Sequence, residues 1–171
     1  MESLAKSSVF FRLRRTPNPL LDQQIPEIDE DFLAPIVLRP LGGNDVGGSI
    51  PLIILTMGTV GSQLGLQCAD DFAQGAKVVA IPAVQRFQIP KADQWKSIFE
   101  DMPSPCHVLT IEDDIGALAT EVANAVFRAG VANKIGKMTH KTVEQVGPSC
   151  RTFEASATFH GFTVDSIRRT L

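Results

Sequence analysis

The chain holds 171 residues, with 16 basic and 19 acidic side chains and a formal charge of −3. One domain of ordinary size fits that length, and the near balance of charge excludes a dedicated nucleic-acid binder. No apolar run reaches the roughly 20 residues of a bilayer-spanning helix, and three widely spaced cysteines (Cys68, Cys106, Cys150) make no disulfide framework, which points to a reducing, cytoplasmic setting.

Residues 1–15 (MESLAKSSVFFRLRR) are basic, serine-containing and nearly free of acids. Their charge follows the apolar residues, the reverse of a secretory leader. Two readings stay open here, an organellar presequence or a flexible, partner-docked arm. Residues 16–31 contain Pro17, Pro19 and Pro26 and then Glu27, Asp29, Glu30 and Asp31. Proline removes backbone donors and extends the residue before it. Residues 1–33 are therefore expected to form an arm and extended connector. Leu20, Leu21, Ile25, Ile28 and Phe32 give it an apolar side for docking on the body or on a neighbouring subunit.

Residues 34–38 form a short strand candidate ended by Pro40, and 41–48 (LGGNDVGG) read as a reversal or loop. Residues 50–56 (IPLIILT) are continuously apolar, as in a strand covered on both faces. A glycine turn follows, then a helix with Val60, Leu64, Cys68 and Phe72 on one stripe and Gly75 at its stop. Residues 77–81 (KVVAI) make the next strand, closing a right-handed βαβ unit. A second round places a helix over 93–102, a strand over 107–111 and a helix over 113–129 with Ile115, Leu118, Val122, Ala125 and Ala129 facing inward. Residues 135–146 carry a weaker, helix-like pattern. Residues 152–159 alternate, with Phe153, Ala155, Ala157 and Phe159 on one face, which predicts a sheet-edge strand.

The turn Gly58-Thr59-Val60-Gly61-Ser62 sits where the first strand of that unit meets its helix. Glycines let backbone approach an anion, and the unpaired N–H groups at a helix start point toward it. The functional reading is phosphate binding by Thr59, Val60, Gly61 and the Ser62 hydroxyl. The structural reading is a tight turn, with Gly65 permitting close helix–sheet packing. A dinucleotide fingerprint is absent, because Thr56 stands where its first glycine belongs and Pro82-Ala83 where its acid belongs. No Gly-Lys-Ser/Thr follows the turn either, which excludes a nucleoside-triphosphate P-loop.

Residues 52–90 resemble the first half of the homo-oligomeric flavin-containing cysteine decarboxylases. The matching pieces are Gly58-Thr59-Val60-Gly61-Ser62, Lys77-Val78-Val79-Ala80-Ile81 and Ala83-Val84-Gln85-Arg86-Phe87-Gln88-Ile89-Pro90. The resemblance implies FMN, with its phosphate near Gly61 and Ser62 and Phe87 in the cofactor set, and a trimeric or larger assembly. Any activity would then be lyase-like and flavin-dependent. The chain departs from the family at Pro82 and at Glu112-Asp113-Asp114, and at its catalytic histidine, since His107 precedes a strand and does not sit on a helix. The same element order opens tubulin-like GTPases, whose glycine-threonine signature is missing where residues 111–116 read IEDDIG.

Other candidates favour structural roles. Cys106 and His107 are adjacent, so on a strand they point to opposite faces and do not share a site. His140, Cys150 and His160 match no zinc spacing. Glu112, Asp113 and Asp114 suit either a divalent cation or, at a helix start, the cap and dipole. The expected architecture is a three-layer, Rossmann-like or flavodoxin-like α/β domain over 34–171, with a mostly parallel sheet and a C-terminal edge strand. The expected function is binding of FMN or another phosphate-bearing small ligand at the first βα turn. The alternative is a non-enzymatic assembly subunit, homo-oligomeric or partnered through residues 1–33.

Overall fold

A computed structural model describes residues 34–42, 50–81, 91–112, 118–142 and 157–171. Their elements run β1 (Ile36–Arg39), β2 (Leu52–Met57), α1 (Thr59–Asp71), β3 (Lys77–Ala80), α2 (Ala92–Ile98), β4 (Cys106–Glu112), α3 (Leu118–Arg128), a 3-10 turn (Ala132–Lys134), β5 (Ile135–Lys141) and α4 (Val164–Thr170). The strands form one sheet in the order β1-β3-β2-β4-β5. Neighbours β3, β2, β4 and β5 are parallel, and β1 alone runs antiparallel, against β3.

The continuous apolar run of β2 resolves into two covered faces. Ile53 and Leu55 join Val79, Cys106 and Val108 beneath α2 and α3, with Trp95, Phe99 and Val122 packed on them. Ile54 joins Val78, Leu109 and Ile111 on the other face, beneath Leu64 and Cys68 of α1 and Ile167 of α4. Successive strand residues point to opposite faces, so a strand buried on both sides shows no polar alternation. Burying each of these large apolar side chains stabilises the fold by roughly 1.5–3 kcal/mol relative to leaving it in water. Helices on two faces of a mostly parallel sheet make a three-layer, Rossmann-like α/β fold, as the patterning predicts.

Two elements differ from expectation. The 135–146 pattern contains a strand, β5, not a helix. It pairs with β4 at the sheet's edge, leaving Gly136, Lys137 and His140 exposed while Ile135 and Met138 are half-buried. That partial covering puts apolar residues three apart, which imitates a helical stripe. The alternating 152–159 segment does not supply an edge strand in its described part, because residues 157–159 are helical; 152–156 lie outside the described residues. Among the described residues, the sheet's edges are β1 and β5. The arm and connector over 1–33 also lie outside the described residues.

Candidate functional site

Strand order reverses around β2. From β2 the chain crosses through α1 to β3 on one side, then through α2 to β4 on the other. In open α/β sheets such a reversal leaves a crevice outside the carboxyl ends of the strands, where ligands bind. Here the carboxyl ends of β2 and β4 carry Met57 and Glu112, which stand opposite each other in the register. Gly58 follows Met57 as the N-cap of α1, with φ of 80°. That backbone lies in the left-handed region, where a Cβ is strained, so the turn requires glycine. It brings the amino end of α1, and with it the amides of Thr59, Val60 and Gly61, to the carboxyl end of the sheet beside Met57 and Glu112.

The residues around those amides are packed closely. A Cβ on Gly61 would stand 2.9 Å from the Ile111 carbonyl oxygen, so the first turn of α1 leans directly on β4. A Cβ on Gly65 would stand 2.7 Å from Thr56 Cγ2, which brings the second turn onto β2. Ser62 is 3% exposed. Its hydroxyl donates back to the Gly58 carbonyl at 2.8 Å and lies 3.1 Å from Thr56 Oγ1. Thr56 in turn donates toward the Val79 carbonyl at 3.4 Å. A chain of hydroxyls thus ties the turn to β2 and β3.

Glu112, 6% exposed, occupies the neighbouring helix start. Its Oε2 accepts a hydrogen bond from the Leu118 amide at 2.9 Å, at the first residue of α3. This is the capping role that carboxylates at a helix start suit, since the dipole there is positive. Asp113 and Asp114 lie outside the described residues, as does Phe87. Among the described residues, no group of three or more histidine, cysteine or acidic side chains is placed to hold a metal ion.

The remaining candidates lie elsewhere. Cys106 is buried in the core under α2 and α3. His107, on the opposite face, is half-buried, and its Nε2 lies 2.8 Å from Thr139 Oγ1 of β5. Burial, then the charge of Lys137, holds the imidazole below its ordinary pKa of 6.5. Cys68 sits in the α1 core stripe with its pKa pushed up to about 12, by burial first and the Asp71 charge second. It is an inert thiol. His107 also lines a cleft of about 640 Å³ at the amino ends of the strands, with Leu41, Pro51, Phe72, Pro103 and Leu171 among its walls. Sequence patterning does not signal this cleft, because its walls come from five separate segments.

Two lysines that the sequence reading passes over finish α2. Lys77, 4% exposed, donates to the Ile98 carbonyl at 2.8 Å and to Asp101 Oδ1 at 2.6 Å. Lys134 donates to the carbonyls of Phe99, Glu100 and Met102 at 2.7, 3.1 and 3.3 Å. Together they satisfy carbonyls that a helix end leaves without partners.

No family model matches the sequence, and comparison with curated proteins finds no match. Solved structures that share the fold include transketolases. A split-gene transketolase in an inactive beta4 tetramer aligns at 18% identity and a TM-score of 0.58, over 86% of this chain and 45% of that one. Transketolase from Campylobacter jejuni subsp. jejuni NCTC 11168 aligns at 14% identity and a TM-score of 0.50, over 84% of this chain and 19% of its own. Transketolase from Leishmania mexicana aligns at 17% identity and a TM-score of 0.50, over 81% and 17%.

These neighbours overturn the resemblance to flavin-containing cysteine decarboxylases. The matching pieces there were a strand, a glycine turn, a helix and a strand, which any parallel α/β domain of this order contains. The more particular segment, Ala83 to Pro90, lies outside the described residues. FMN thereby loses the argument that family lent it. The chain is an α/β Rossmann-like domain that spans less than half of each transketolase chain whose fold it shares.

Proposed function

We propose that this chain is a Rossmann-like binding domain that takes a small phosphate-bearing ligand at the first βα turn. The observation that carries this reading is the reversal of strand order between β2 and β4, with a glycine-capped helix start at the crevice it leaves. In this reading the backbone of Gly58, Thr59, Val60 and Gly61 holds the anion, as helix starts do. Ser62 joins only by releasing its bond to the Gly58 carbonyl. FMN is one ligand of this class.

Thermal unfolding with inorganic phosphate, pyrophosphate or FMN, against chloride at equal ionic strength, tests the proposal. A ligand that binds only the native chain raises the melting temperature, by about 2.7 kcal/mol of added stability at 100 times Kd. A Thr59→Glu chain should lose that rise, since its carboxylate repels an anion, while a first-turn acid itself favours the helix. No rise with any of the three ligands at millimolar concentration would overturn the proposal.

A second reading, a non-enzymatic assembly subunit, draws on the split-gene neighbour. That protein is described as an inactive beta4 tetramer, and this chain covers 45% of the tetramer's chain. Light scattering of the full chain and of one beginning at Ala34 separates two versions of this reading. An oligomer lost on truncation puts the assembly in residues 1–33. An oligomer that survives puts it on the α/β body, and a monomer in both cases removes the reading.

A further inference from the structure

The cleft at the amino ends of the strands, about 640 Å³ in volume, lies at the far end of the sheet from the first βα turn. Pockets of roughly 300–1,000 Å³ hold small molecules. Its lining is mainly apolar, with Leu41, Ile50, Pro51, Leu52, Phe72 and Leu171. Ile50 is 60% exposed, so a bound molecule would cover a large apolar side chain that the body leaves in water. The polar part of the lining is rich in acceptors. No lysine or arginine is among the described residues that line it, whereas Asp71 is. Residues 71–74 bring the carboxyl end of α1 to the cleft, and that end of a helix dipole is negative. The last turn of α1 holds no basic residue. Among the described residues, no amide donates to the carbonyls of Asp71, Phe72 and Gln74. Arg168 pairs with Asp71 Oδ2, and Oδ1 has no partner among the described residues. The same guanidinium lies 5.2 Å from the Phe72 ring centroid, so the chain itself sets a cation against these two groups. His107 meets Thr139 through Nε2, and its Nδ1 has no partner among the described residues. Lys137, opposite His107 in the register, donates its ammonium to the Leu171 carbonyl at 2.7 Å.

We propose that this cleft binds an organic monocation, with an apolar body against Ile50, Leu52 and Phe72 and an ammonium group at Asp71 and the open carbonyls of α1. An ammonium carries three donors and no acceptor, which matches a set of acceptors with no cation of its own. The ring of Phe72 suits an aromatic body, since aromatic pairs gain beyond the area they bury. Burial of the apolar body alone does not discriminate between ligand charges; the end of α1 does. An anion with the same body would meet the Asp71 charge and the negative end of the dipole, and should be rejected. The site is independent of the phosphate reading, because the two lie at opposite ends of the sheet.

Amide correlation spectra of the isotope-labelled full chain, titrated with tryptamine, test this, with indole-3-propionate as the anion of the same ring. The expected result is saturable shifts at Leu52, Phe72 to Ala76 and His107, with the amides of Thr59 to Gly61 unmoved. Indole-3-propionate should bind at least roughly tenfold more weakly. Gln74 and Asp71 are both exposed, so Gln74→Lys and Asp71→Asn should leave the spectrum away from the cleft unchanged. Each should weaken tryptamine binding at least roughly fivefold. Equal affinity for the two indoles would overturn the proposal, as would tryptamine binding that neither variant weakens. An absence of saturable shifts at the cleft up to about 10 mM ligand, beyond the range expected for a ligand of this size, would overturn it too.

Discussion

Gly61 meets the Ile111 carbonyl oxygen where a methyl group would stand. A backbone oxygen cannot swing aside as a flexible side chain does, so Gly61→Ala must push α1 away from β4. Overpacking of this kind costs about 1–3 kcal/mol, and urea unfolding should show it as a lower midpoint at unchanged slope. The glycine was visible in the sequence, and the reading of a tight turn was available there. What the sequence did not hold was the identity of the neighbour, since Ile111 lies 50 residues away on another strand. The same holds for Ser62. A hydroxyl beside a glycine turn suggests a ligand, yet its proton is directed at the Gly58 carbonyl four residues back. Lys134 is a third case, donating to three carbonyls across 32 to 35 residues of sequence. Lys134→Met should destabilise the fold by about 1–3 kcal/mol, because partly buried acceptors lose a charged donor. A lower melting temperature with unchanged secondary structure by circular dichroism would show that.

Among the elements, the strands covered on both faces were the most legible. Their apolar runs are long and lie between glycine and proline. β5 was not legible, because an edge strand half covered on one side shows only Ile135 and Met138 inside. Its attachment includes the contact between His107 of β4 and Thr139, and this makes the edge sensitive to acid. The native imidazole is held below its ordinary pKa of 6.5 by burial and by Lys137. As pH falls, the unfolded chain takes up the proton first. Stability from this group is therefore whole above that ordinary value and drains away as pH drops toward the lowered native one. Thermal melts from about pH 7.5 to pH 5 should show a fall in melting temperature that His107→Gln reduces. An unchanged pH slope in the variant would show that other groups set the acid response.

For the whole molecule, fold class followed from the alternation of buried strands with amphipathic helices, whereas the strand order β1-β3-β2-β4-β5 was not legible, because the right hand of a crossover fixes which face its helix covers and not on which side of β2 the chain returns. The candidate site was legible only as a glycine turn, because Glu112 capping α3 is joined to that turn by sheet register and not by sequence spacing. The body also carries its last helix as a clasp. Arg168 of α4 pairs with Asp71 at the end of α1, and its guanidinium lies 5.2 Å from the Phe72 ring centroid. Both charges are about half exposed, so Arg168→Ala should cost no more than about 1 kcal/mol. Ile167, fully buried beside it, anchors the helix far more strongly. Ile167→Ala should cost about 2–5 kcal/mol in chemical denaturation.

The antiparallel placement of β1 has a consequence for how the chain comes together. Ile36 pairs with Ala80 and Val37 with Val79, so this first strand finds no mate in β2, the next strand to be synthesised. On a ribosome it must wait, uncommitted, until β3 emerges and has itself lined up beside β2. Amide-exchange labelling of nascent chains halted before and after β3 should find Ile36–Arg39 unprotected in the former and slowed only in the latter.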